Sequence, residues 1–262
     1  MPRTRKATQP YLVPAIDRGL DILETLVGEE HGLTVTEVSR RLRIPKSSAF
    51  GILQTLSARG YLDKAGNDRY GLTLKLFGLG SALIDSLDLR RKLYPLLLEL
   101  TTRCGITGHI AVLDQSYAVY IEKAEVMGAI RLTTWIGKRM HLHSTSIGKA
   151  LLAWQPPEIA ERVMAAHGLT RQTARTITDD VALAAELARV RTAGYAVSNE
   201  ENEEGVRAVA APIFDHAGRP AAAVNLGGTR LQIKMKDVPR LGELVRGCAD
   251  RMSATLGYTK SR

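Results

Sequence analysis

The side chains best suited to chemistry lie together in a short segment near the N-terminus. Lys46, Ser47, Ser48 and Gln54 supply a cation, two hydroxyls and an amide, the groups that contact phosphates and base edges in double-stranded DNA. Phe50 lies between them and offers an apolar surface that can meet a thymine methyl group. The segment therefore predicts a DNA-reading surface.

Two further cations flank a tight turn downstream of this segment. Lys64 and Arg69 enclose the sequence Ala-Gly-Asn-Asp at 65–68, which is typical of a turn. On either side, residues 61–64 and 69–72 alternate as strands do. The pattern predicts a two-stranded wing on which Lys64 and Arg69 contact the phosphate backbone.

A capping box begins the first of the elements that must position the reading segment. The hydroxyl of Thr34 can cap a helix, and Glu37 can accept a hydrogen bond from the backbone N–H of Thr34. Val35, Val38 and Leu42 then recur at helical spacing. We also predict that Thr34 contacts DNA.

A short turn joins this helix to the reading helix. The turn at 43–45 ends in Pro45, which suits a first helical position because its missing N–H is not needed there. The apolar stripe of the reading helix consists of Ala49, Ile52, Leu53 and Leu56. Such helix pairs also occur in proteins that never bind DNA. The wing and the basic residues around the turn favour DNA binding.

Another helix is predicted before this pair, at roughly 15–27. Ile16, Leu20, Leu23 and Val27 share one face, which we expect to pack across the helix pair and complete a three-helix core. The preceding residues, 1–12, are basic and predict a flexible arm.

The overall composition restricts the class of protein. The 262 residues carry 36 Lys and Arg against 27 Asp and Glu, and this net charge of +9 favours a polyanionic partner without proving one. No apolar run reaches membrane-spanning length, and the N-terminus lacks the apolar core of a secretory signal. Cys104 and Cys248 have neither metal-binding nor redox spacing, so we expect reduced thiols in a cytoplasmic protein with no membrane partner.

From residue 105 onwards, strand patterns appear between the helical ones. The strand-like segments are 108–113, 118–121, 130–135, 195–197, 209–214 and 221–226. The helical segments are 89–104, 144–154, 158–167, 180–192 and 238–256. They predict an antiparallel sheet flanked by helices, in an α+β domain separate from the N-terminal module.

The best candidate for a ligand pocket is the segment 141–150. Its hydroxyls lie at a predicted helix start, where free N–H groups can hold a carboxylate, although an ordinary capped helix has the same spacing. A nucleotide-binding loop is rejected because its first glycine is missing and Ala150 replaces the magnesium-binding hydroxyl. His141 and His143 would need partners from elsewhere to bind a metal. We therefore predict no metal, no cofactor and no catalytic residue.

Several longer motifs are similar to those of one family. They are Ile44-Pro45-Lys46-Ser47-Ser48, Tyr70-Gly71-Leu72, the stretch 142–152, Gly194-Tyr195-Ala196 and the run 200–215. On these motifs the chain resembles the IclR family of bacterial transcriptional regulators from Ala15 to Leu256. The resemblance implies a winged helix-turn-helix domain, a linker helix and a GAF-like effector domain. It also implies homodimers or dimers of dimers that bind operator DNA and respond to small organic effectors.

The resemblance also divides the chain into four regions of an α+β protein. Residues 1–12 form the basic arm and 13–74 the winged helix-turn-helix domain. Residues 75–88 form the linker helix, and 89–262 form the effector-binding domain with its antiparallel sheet.

The family's effector pocket can be carried over to this chain residue by residue. The matching positions are Ala129, Leu132, Met140, Ser146, Ile147, Ser198, Val206, Ala208, Asn225 and Gly227. Ser198 stands where members that bind small oxo acids can carry an aspartate, and Asn225 and Gly227 replace serines. Ala129 and Ala208 replace larger apolar walls. A neutral lining with smaller walls implies a bulkier ligand, such as an aromatic acid or its derivative.

The residues and the resemblance together predict a ligand-responsive transcriptional regulator. The favoured interpretation is a repressor of a catabolic operon that a small organic acid releases from its operator. An activator with the same features stays open. So do an enzyme that processes its ligand in the C-terminal domain and a protein-interaction module built on the winged-helix fold.

Overall fold

The computed structural model describes residues 12–79, 89–126 and 132–259. The chain separates after Ser86 into an N-terminal unit, Met1–Ser86, and a C-terminal unit, Leu87–Arg262. Of the predicted basic arm, only Leu12 is among the described residues. None of the helices in the described part of the chain is long and apolar enough to cross a membrane.

Three helices and three short strands build most of the N-terminal unit. The helices are α1 (Pro14–Thr25), α2 (Val35–Leu42) and α3 (Lys46–Ala58). The strands are β1 (Leu33–Thr34), β2 (Leu62–Ala65) and β3 (Arg69–Leu72), paired antiparallel in the order β1-β3-β2. This is the predicted winged helix-turn-helix. Residues 74–79 are helical (α4) where we predict the linker helix, and residues 80–88 of that prediction lie outside the described residues.

The apolar stripes of α2 and α3 form the core of this unit as predicted. Val38, Ala49 and Leu53 are fully buried, and Tyr70 from the wing packs into the same cluster. Because the wing contributes to the core, its position relative to α3 is fixed by packing as well as by backbone pairing.

The predicted packing face of α1 is wrong. Ile16 and Leu20 are 63% and 54% exposed and Val27 is exposed as well, so that Leu23 is the one member of this face that packs against the core. Ile22, on the other side of the helix, is fully buried. Apolar residues occur on both sides of α1, and only the packing against α2 and α3 decides which side is covered. An uncovered apolar stripe remains.

A six-stranded antiparallel sheet forms the centre of the C-terminal unit, in agreement with the predicted α+β class. Its strands are β4 (Gly108–Asp114), β5 (Tyr117–Ala124), β6 (Arg139–His141), β7 (Ala196–Asn199), β8 (Val206–Phe214) and β9 (Pro220–Thr229). They lie in the order β6-β5-β4-β9-β8-β7. The helices are α5 (Leu89–Cys104), α6 (Ser146–Leu152), α7 (Pro157–His167), α8 (Asp180–Ala193) and α9 (Val238–Thr255).

The strand predicted at 130–135 is wrong. Residues 132–135 are not in a strand, and residues 130–131 lie outside the described residues. The edge of β5 pairs instead with β6, where Val119 lies opposite Arg139. β propensity does not say which of two neighbouring segments takes a sheet edge. Residues 132–134 instead border a cavity.

The sheet separates two cores. Neighbouring residues of a strand point to opposite faces, so Val209 and Ala211 pack with α5 and α9, while Ala210 packs with α6 and α8. The small residues on the α6 side are Ala111, Ala118, Ala196, Ala210 and Ala223. They let α6 lie close to the sheet. The same alternation brings His109 and Asn225 to the α6 face, at the cavity.

Candidate functional site

The outer face of α3 carries three of the predicted DNA-contacting residues in open solvent. Lys46 and Ser47 are exposed in the first turn of the helix, and Phe50 is 51% exposed one turn later. The opposite face of the helix is held in the core, so the orientation of the helix is fixed while these side chains are exposed. This combination of a rigid element and free polar groups suits the docking of a helix on DNA.

Two further predicted residues on α3 are oriented by their neighbours. Ser48 is half-buried and its hydroxyl accepts a hydrogen bond from Arg18 at 3.2 Å. The amide nitrogen of Gln54 donates to the hydroxyl of Tyr70 at 3.3 Å. The α1 helix and the wing therefore each orient one polar group of the reading helix.

Thr34 and Arg69, also predicted to contact DNA, are engaged inside the module. The hydroxyl of Thr34 accepts from the backbone of Glu37 at 3.3 Å, and Glu37 accepts from the backbone of Thr34 at 2.8 Å, which is the predicted capping box. Arg69 donates to the backbone oxygen of Gly32 at 2.8 Å and to Glu37 at 3.2 Å. Hydrogen bonds from Thr34 and the charge of Arg69 hold the pKa of Glu37 below its ordinary value. Together they tie the wing to α2.

The last predicted DNA contact, Lys64, lies on the wing. It is exposed and its ammonium group lies 2.6 Å from the carboxylate of Asp68 at the wing tip. The hydrogen bond and charge of Asp68 raise the pKa of Lys64. Its positive charge is therefore partly neutralised inside the wing.

A cavity lies beside the α6 face of the sheet. It leaves about 60 Å³ for the centres of water-sized molecules, which is room for several waters or a small organic molecule. The predicted pocket residues that line it are Leu132, Met140, Ser146, Ser198, Val206, Ala208, Asn225 and Gly227. The side chain of Ile147 is buried in the core instead. Ala129 lies outside the described residues.

Of the remaining lining residues, Thr145 lies in the predicted pocket segment 141–150. The others were not predicted from the sequence, and they are His109, Tyr120, Thr133, Thr134, Lys138, Asn202 and Glu203. One signal was available, because a histidine at 109 interrupts an otherwise apolar strand pattern. Its partners come from distant strands, and sequence spacing does not reveal that pairing.

The start of α6 presents an unpartnered hydroxyl to the cavity. Thr145 caps the helix by accepting from the backbone of Gly148 at 3.1 Å. Ser146 is fully buried, and its hydroxyl has no hydrogen-bond partner among the described residues. A Cβ at Gly148 would lie 2.5 Å from the backbone of Leu142. Glycine is therefore required for α6 to lie this close, and that approach places Ser146 at the cavity.

A hydrogen-bonded network surrounds His109 at the sheet side of the cavity. The two ring nitrogens lie 3.1 Å from the amide oxygen of Asn225 and 2.8 Å from the hydroxyl of Thr134, and the ring stacks on Tyr120 at 4.3 Å. Burial lowers the pKa of His109 to about 4 and raises the pKa of Tyr120 to about 12. Both rings are therefore neutral at pH 7.

Lys149 lies on α6, is fully buried and does not line the cavity. Its ammonium group lies 3.0 Å from Glu186 on α8 and 2.8 Å from Glu201 in the β7–β8 loop. The acidic run that contains Glu201 also pairs with Arg207, which donates to Glu200 at 3.1 Å. These ion pairs join α6, α8 and the loop that carries Asn202 to the cavity rim.

No group of three or more His, Cys, Asp or Glu side chains suited to a metal ion occurs among residues 12–79, 89–126 and 132–259. His143, one of the two histidines considered for metal, instead interacts through its ring nitrogen with the backbone oxygen of Thr170 at 3.0 Å.

Two family models match the chain in these regions. The model described as the IclR helix-turn-helix domain matches residues 15–66. The model described as the C-terminal part of bacterial transcriptional regulator IclR matches residues 81–254, which is more than half of the chain. The chain belongs to the IclR family. The α2–α3 pair is thus the IclR helix-turn-helix, and the cavity lies in the part that matches the IclR C-terminal model.

Individual IclR-family proteins are similar over nearly the whole chain. The transcriptional regulator KdgR of Escherichia coli (strain K12) is 36% identical over 251 residues, 95% of each protein. The transcriptional repressor IclR of the same strain is 29% identical and covers 94% of this chain and 90% of its own length. A solved IclR homologue from Microbacterium hydrocarbonoxydans, complexed with 4-hydroxybenzoate, is 25% identical with a TM-score of 0.78. It covers 92% of this chain and 98% of that one.

The IclR family and these relatives are transcriptional regulators. The protein is therefore a DNA-binding regulator of transcription, and the helix-turn-helix is its DNA-binding element. The enzyme alternative is set aside, because neither the family nor the relatives are enzymes.

Proposed function

We propose that this IclR-family protein is a cytoplasmic repressor of a catabolic operon, released from its operator when a small organic acid enters the cavity. One observation carries the proposal. The hydroxyl of Ser146 is buried, borders the cavity and has no partner among the described residues. Buried polar groups are normally hydrogen-bonded, so a ligand that supplies the missing partner accounts for this hydroxyl.

The charges around the cavity favour an acid. Lys138 lines it and donates to the backbone oxygen of Thr133 at 2.9 Å, which leaves further ammonium donors for a carboxylate. Glu203 also lines the cavity but is exposed, so water screens its charge. Among apolar walls, Tyr120, Leu132 and Met140 suit an aromatic framework. An IclR homologue complexed with 4-hydroxybenzoate supports the same choice.

DNA recognition is assigned mainly to α3. Lys46 would contact phosphate, Ser47 and Gln54 would contact base edges, and Phe50 would meet a thymine methyl. Ser48 is held by Arg18 and needs a small reorientation to join them.

The wing contributes in two ways. Lys64 would contact a phosphate near the wing tip. Thr34 and Arg69 would act through the capping box and the ion pair with Glu37, by holding the wing against α2.

A homodimer, alone or as half of a dimer of dimers, fits the exposed apolar surface of the N-terminal unit. The stripe of Ile16 and Leu20 on α1 is exposed, and Leu74 and Phe77 on α4 are 84% and 68% exposed. Exposed apolar patches of this kind mark association surfaces. A symmetric pair would place two α3 helices on half-sites about 34 Å apart or a multiple of that distance.

Release by the acid is a coupling between two binding events. If the acid weakens operator binding by some factor, the operator weakens acid binding by the same factor. An acid that instead strengthens operator binding would indicate a corepressor or an activator.

The test uses the full chain and the intergenic DNA upstream of its own gene. Fluorescence anisotropy measures DNA affinity with and without a panel of aromatic and aliphatic carboxylic acids. We expect specific, salt-dependent binding and release by at least one acid. No salt-dependent retention of this DNA would favour the protein-interaction alternative.

A cavity-filling variant shows whether the acid acts at the cavity. In Gly227→Ala, the new Cβ would lie 3.4 Å from Leu132 and 3.9 Å from Ala208, which is ordinary contact and narrows the space. We expect a weaker response to the acid. Gly247→Ala on α9, where a Cβ meets nothing within 4 Å, is the matched control. An equal response in both variants would place the effector elsewhere.

A further inference from the structure

The hydrogen bonds around His109 have a definite direction. The amide oxygen of Asn225 lies 3.1 Å from the backbone N–H of His109, which can only donate. The oxygen is therefore the acceptor, and the nearby Nδ1 of His109, also at 3.1 Å, must carry the ring proton. Because the ring is neutral, Nε2 has no proton and accepts from the hydroxyl of Thr134 at 2.8 Å.

The direction of these hydrogen bonds decides which donors and acceptors Thr134 and Asn225 offer to a ligand. Thr134 gives its one hydroxyl proton to His109, so its oxygen can only accept from another group. Asn225 directs its amide nitrogen away from His109. That nitrogen has two N–H donors, and a hydrogen bond with Tyr120 uses one of them, so the other can donate to a ligand. That nitrogen would lie 3.8 Å from a Cβ at Gly227, so the missing side chain there leaves it uncovered.

A hydroxyl group matches this arrangement, because it both accepts and donates. It can accept from the amide of Asn225 and donate to the oxygen of Thr134. A carboxylate would meet the acceptor oxygen of Thr134 and gain no ion pair from the neutral ring of His109. The carboxylate is better placed toward Lys138, the only Lys or Arg among the described residues that line the cavity.

We propose that the effector is a hydroxylated carboxylic acid, and that His109 is the positioning residue that makes Thr134 and Asn225 select its hydroxyl. This inference rests on the proposed function of the cavity and specifies its ligand. Two sources share this chemistry: hydroxylated aromatic acids and aliphatic polyhydroxy acids. Phenolic and sugar-derived hydroxyls present the same donor and acceptor to the network.

Matched pairs of acids test the proposal by isothermal titration calorimetry of the full chain. The aromatic arm compares 4-hydroxybenzoate with benzoate, and the aliphatic arm compares gluconate with hexanoate. In the arm that fits the cavity, we expect the hydroxylated member to bind about 10- to 100-fold more tightly, because its deoxy analogue leaves buried polar groups unpaired.

Thr134→Val keeps the shape of the side chain and removes the hydroxyl. We expect the preference for the hydroxylated acid to fall to about threefold or less. His109→Phe keeps a ring against Tyr120 but removes both nitrogens, and the same loss of preference is expected. Thr192→Val on α8, an exposed threonine outside the cavity lining, is the matched control and should keep the preference.

The outcomes separate this inference from the function on which it rests. If benzoate or hexanoate binds as tightly as its hydroxylated partner and still releases the operator, the regulator assignment stands and the hydroxyl inference is overturned. The inference is also overturned if Thr134→Val and His109→Phe both keep the full preference. If none of the four acids binds or affects the operator, the cavity assignment itself fails and the inference fails with it.

Discussion

Polar side chains have opposite surroundings on the reading face of α3 and in the cavity of the C-terminal unit. On α3, Lys46 and Ser47 stand in solvent. In the cavity, His109, Asn225 and Thr134 are buried or half-buried and already hydrogen-bonded to one another. The polar groups on α3 are left to solvent, whereas these three side chains of the cavity are already oriented by one another.

This difference in exposure predicts which physical effect controls DNA binding and which controls ligand binding. DNA binding through exposed cations releases counterions and falls steeply with salt. Ligand binding to a buried, pre-oriented network depends on hydrogen-bond matching and is screened little by salt. Substitutions should follow the same division, with large effects on stability inside the C-terminal unit and effects on DNA affinity at the reading face.

The largest effect is expected from Lys149→Met. The substitution removes the cation that Glu186 and Glu201 share. Glu186 keeps its ion pair with Arg189, but the largely buried Glu201 loses this cation, and breaking a buried ion pair costs about 3–5 kcal/mol. Urea unfolding of the full chain, followed by circular dichroism, measures the loss. Lys64→Met, which removes an exposed cation paired with Asp68, is the control and should leave the unfolding midpoint unchanged. If the two substitutions lowered the free energy of unfolding equally, the predicted difference between the buried and the exposed ion pairs would be wrong.

A smaller loss of stability is expected when the pH is lowered, because His109 is neutral in the folded protein. Its pKa is lowered from 6.5 to about 4 mainly by burial, and Lys123 and Lys138 act in the same direction. As pH falls below 6.5, the unfolded chain takes up a proton that the folded protein resists until about pH 4. The burial of neutral His109 should therefore lower the free energy of unfolding by about 2 kcal/mol when the pH falls from 7.5 to 5.

Urea unfolding at the two pH values measures this loss, and His109→Phe provides the comparison. The variant lacks the titrating group, so its stability should fall less over the same interval. Identical pH dependence in the two proteins would mean that His109 is not held neutral by burial.

The smallest effect is expected at the DNA-binding surface. Lys46→Ala should weaken binding to all DNA sequences and reduce the slope of log affinity against log salt by about one unit. Lys64→Ala should reduce the slope less, because Asp68 already neutralises part of that charge. Anisotropy titrations at several salt concentrations measure both. A change in sequence preference without a change in slope would contradict the phosphate-contact assignment.

Local sequence signals predicted the helix-turn-helix well. The capping box of Thr34 and Glu37 and the stripe containing Ala49 and Leu53 both depend on residues within one or two helical turns of each other. Such spacing has the same meaning in any surroundings. The limits of α2 and α3 and the buried side of α3 could therefore be predicted from the chain alone.

The face of α1 and the strand at 130–135 could not be predicted in this way. In α1, Ile16 and Ile22 are equally apolar, yet one is 63% exposed and the other is buried. Near β5, the segment 130–135 had the composition of a strand, yet the edge is taken by Arg139–His141. In both places contacts with distant segments decide the outcome, and local composition does not.

The residues that line the cavity could be predicted only in part from the sequence. The family resemblance pointed to Ser146 and Asn225, but not to His109, Tyr120 or Thr134. The hydrogen bond between His109 and Asn225 spans 116 positions in the chain. It exists because β4 and β9 pair in one register and alternate their side chains toward the α6 face.

By itself, the sequence determined the helices, the wing and the polar types on the reading face, because periodicity and capping are local properties of a chain. Only the tertiary structure decided which apolar face of α1 stays open and which polar groups meet at the cavity. Those outcomes depend on strand register and on competition for packing between distant segments, and neither depends on the spacing of neighbouring residues.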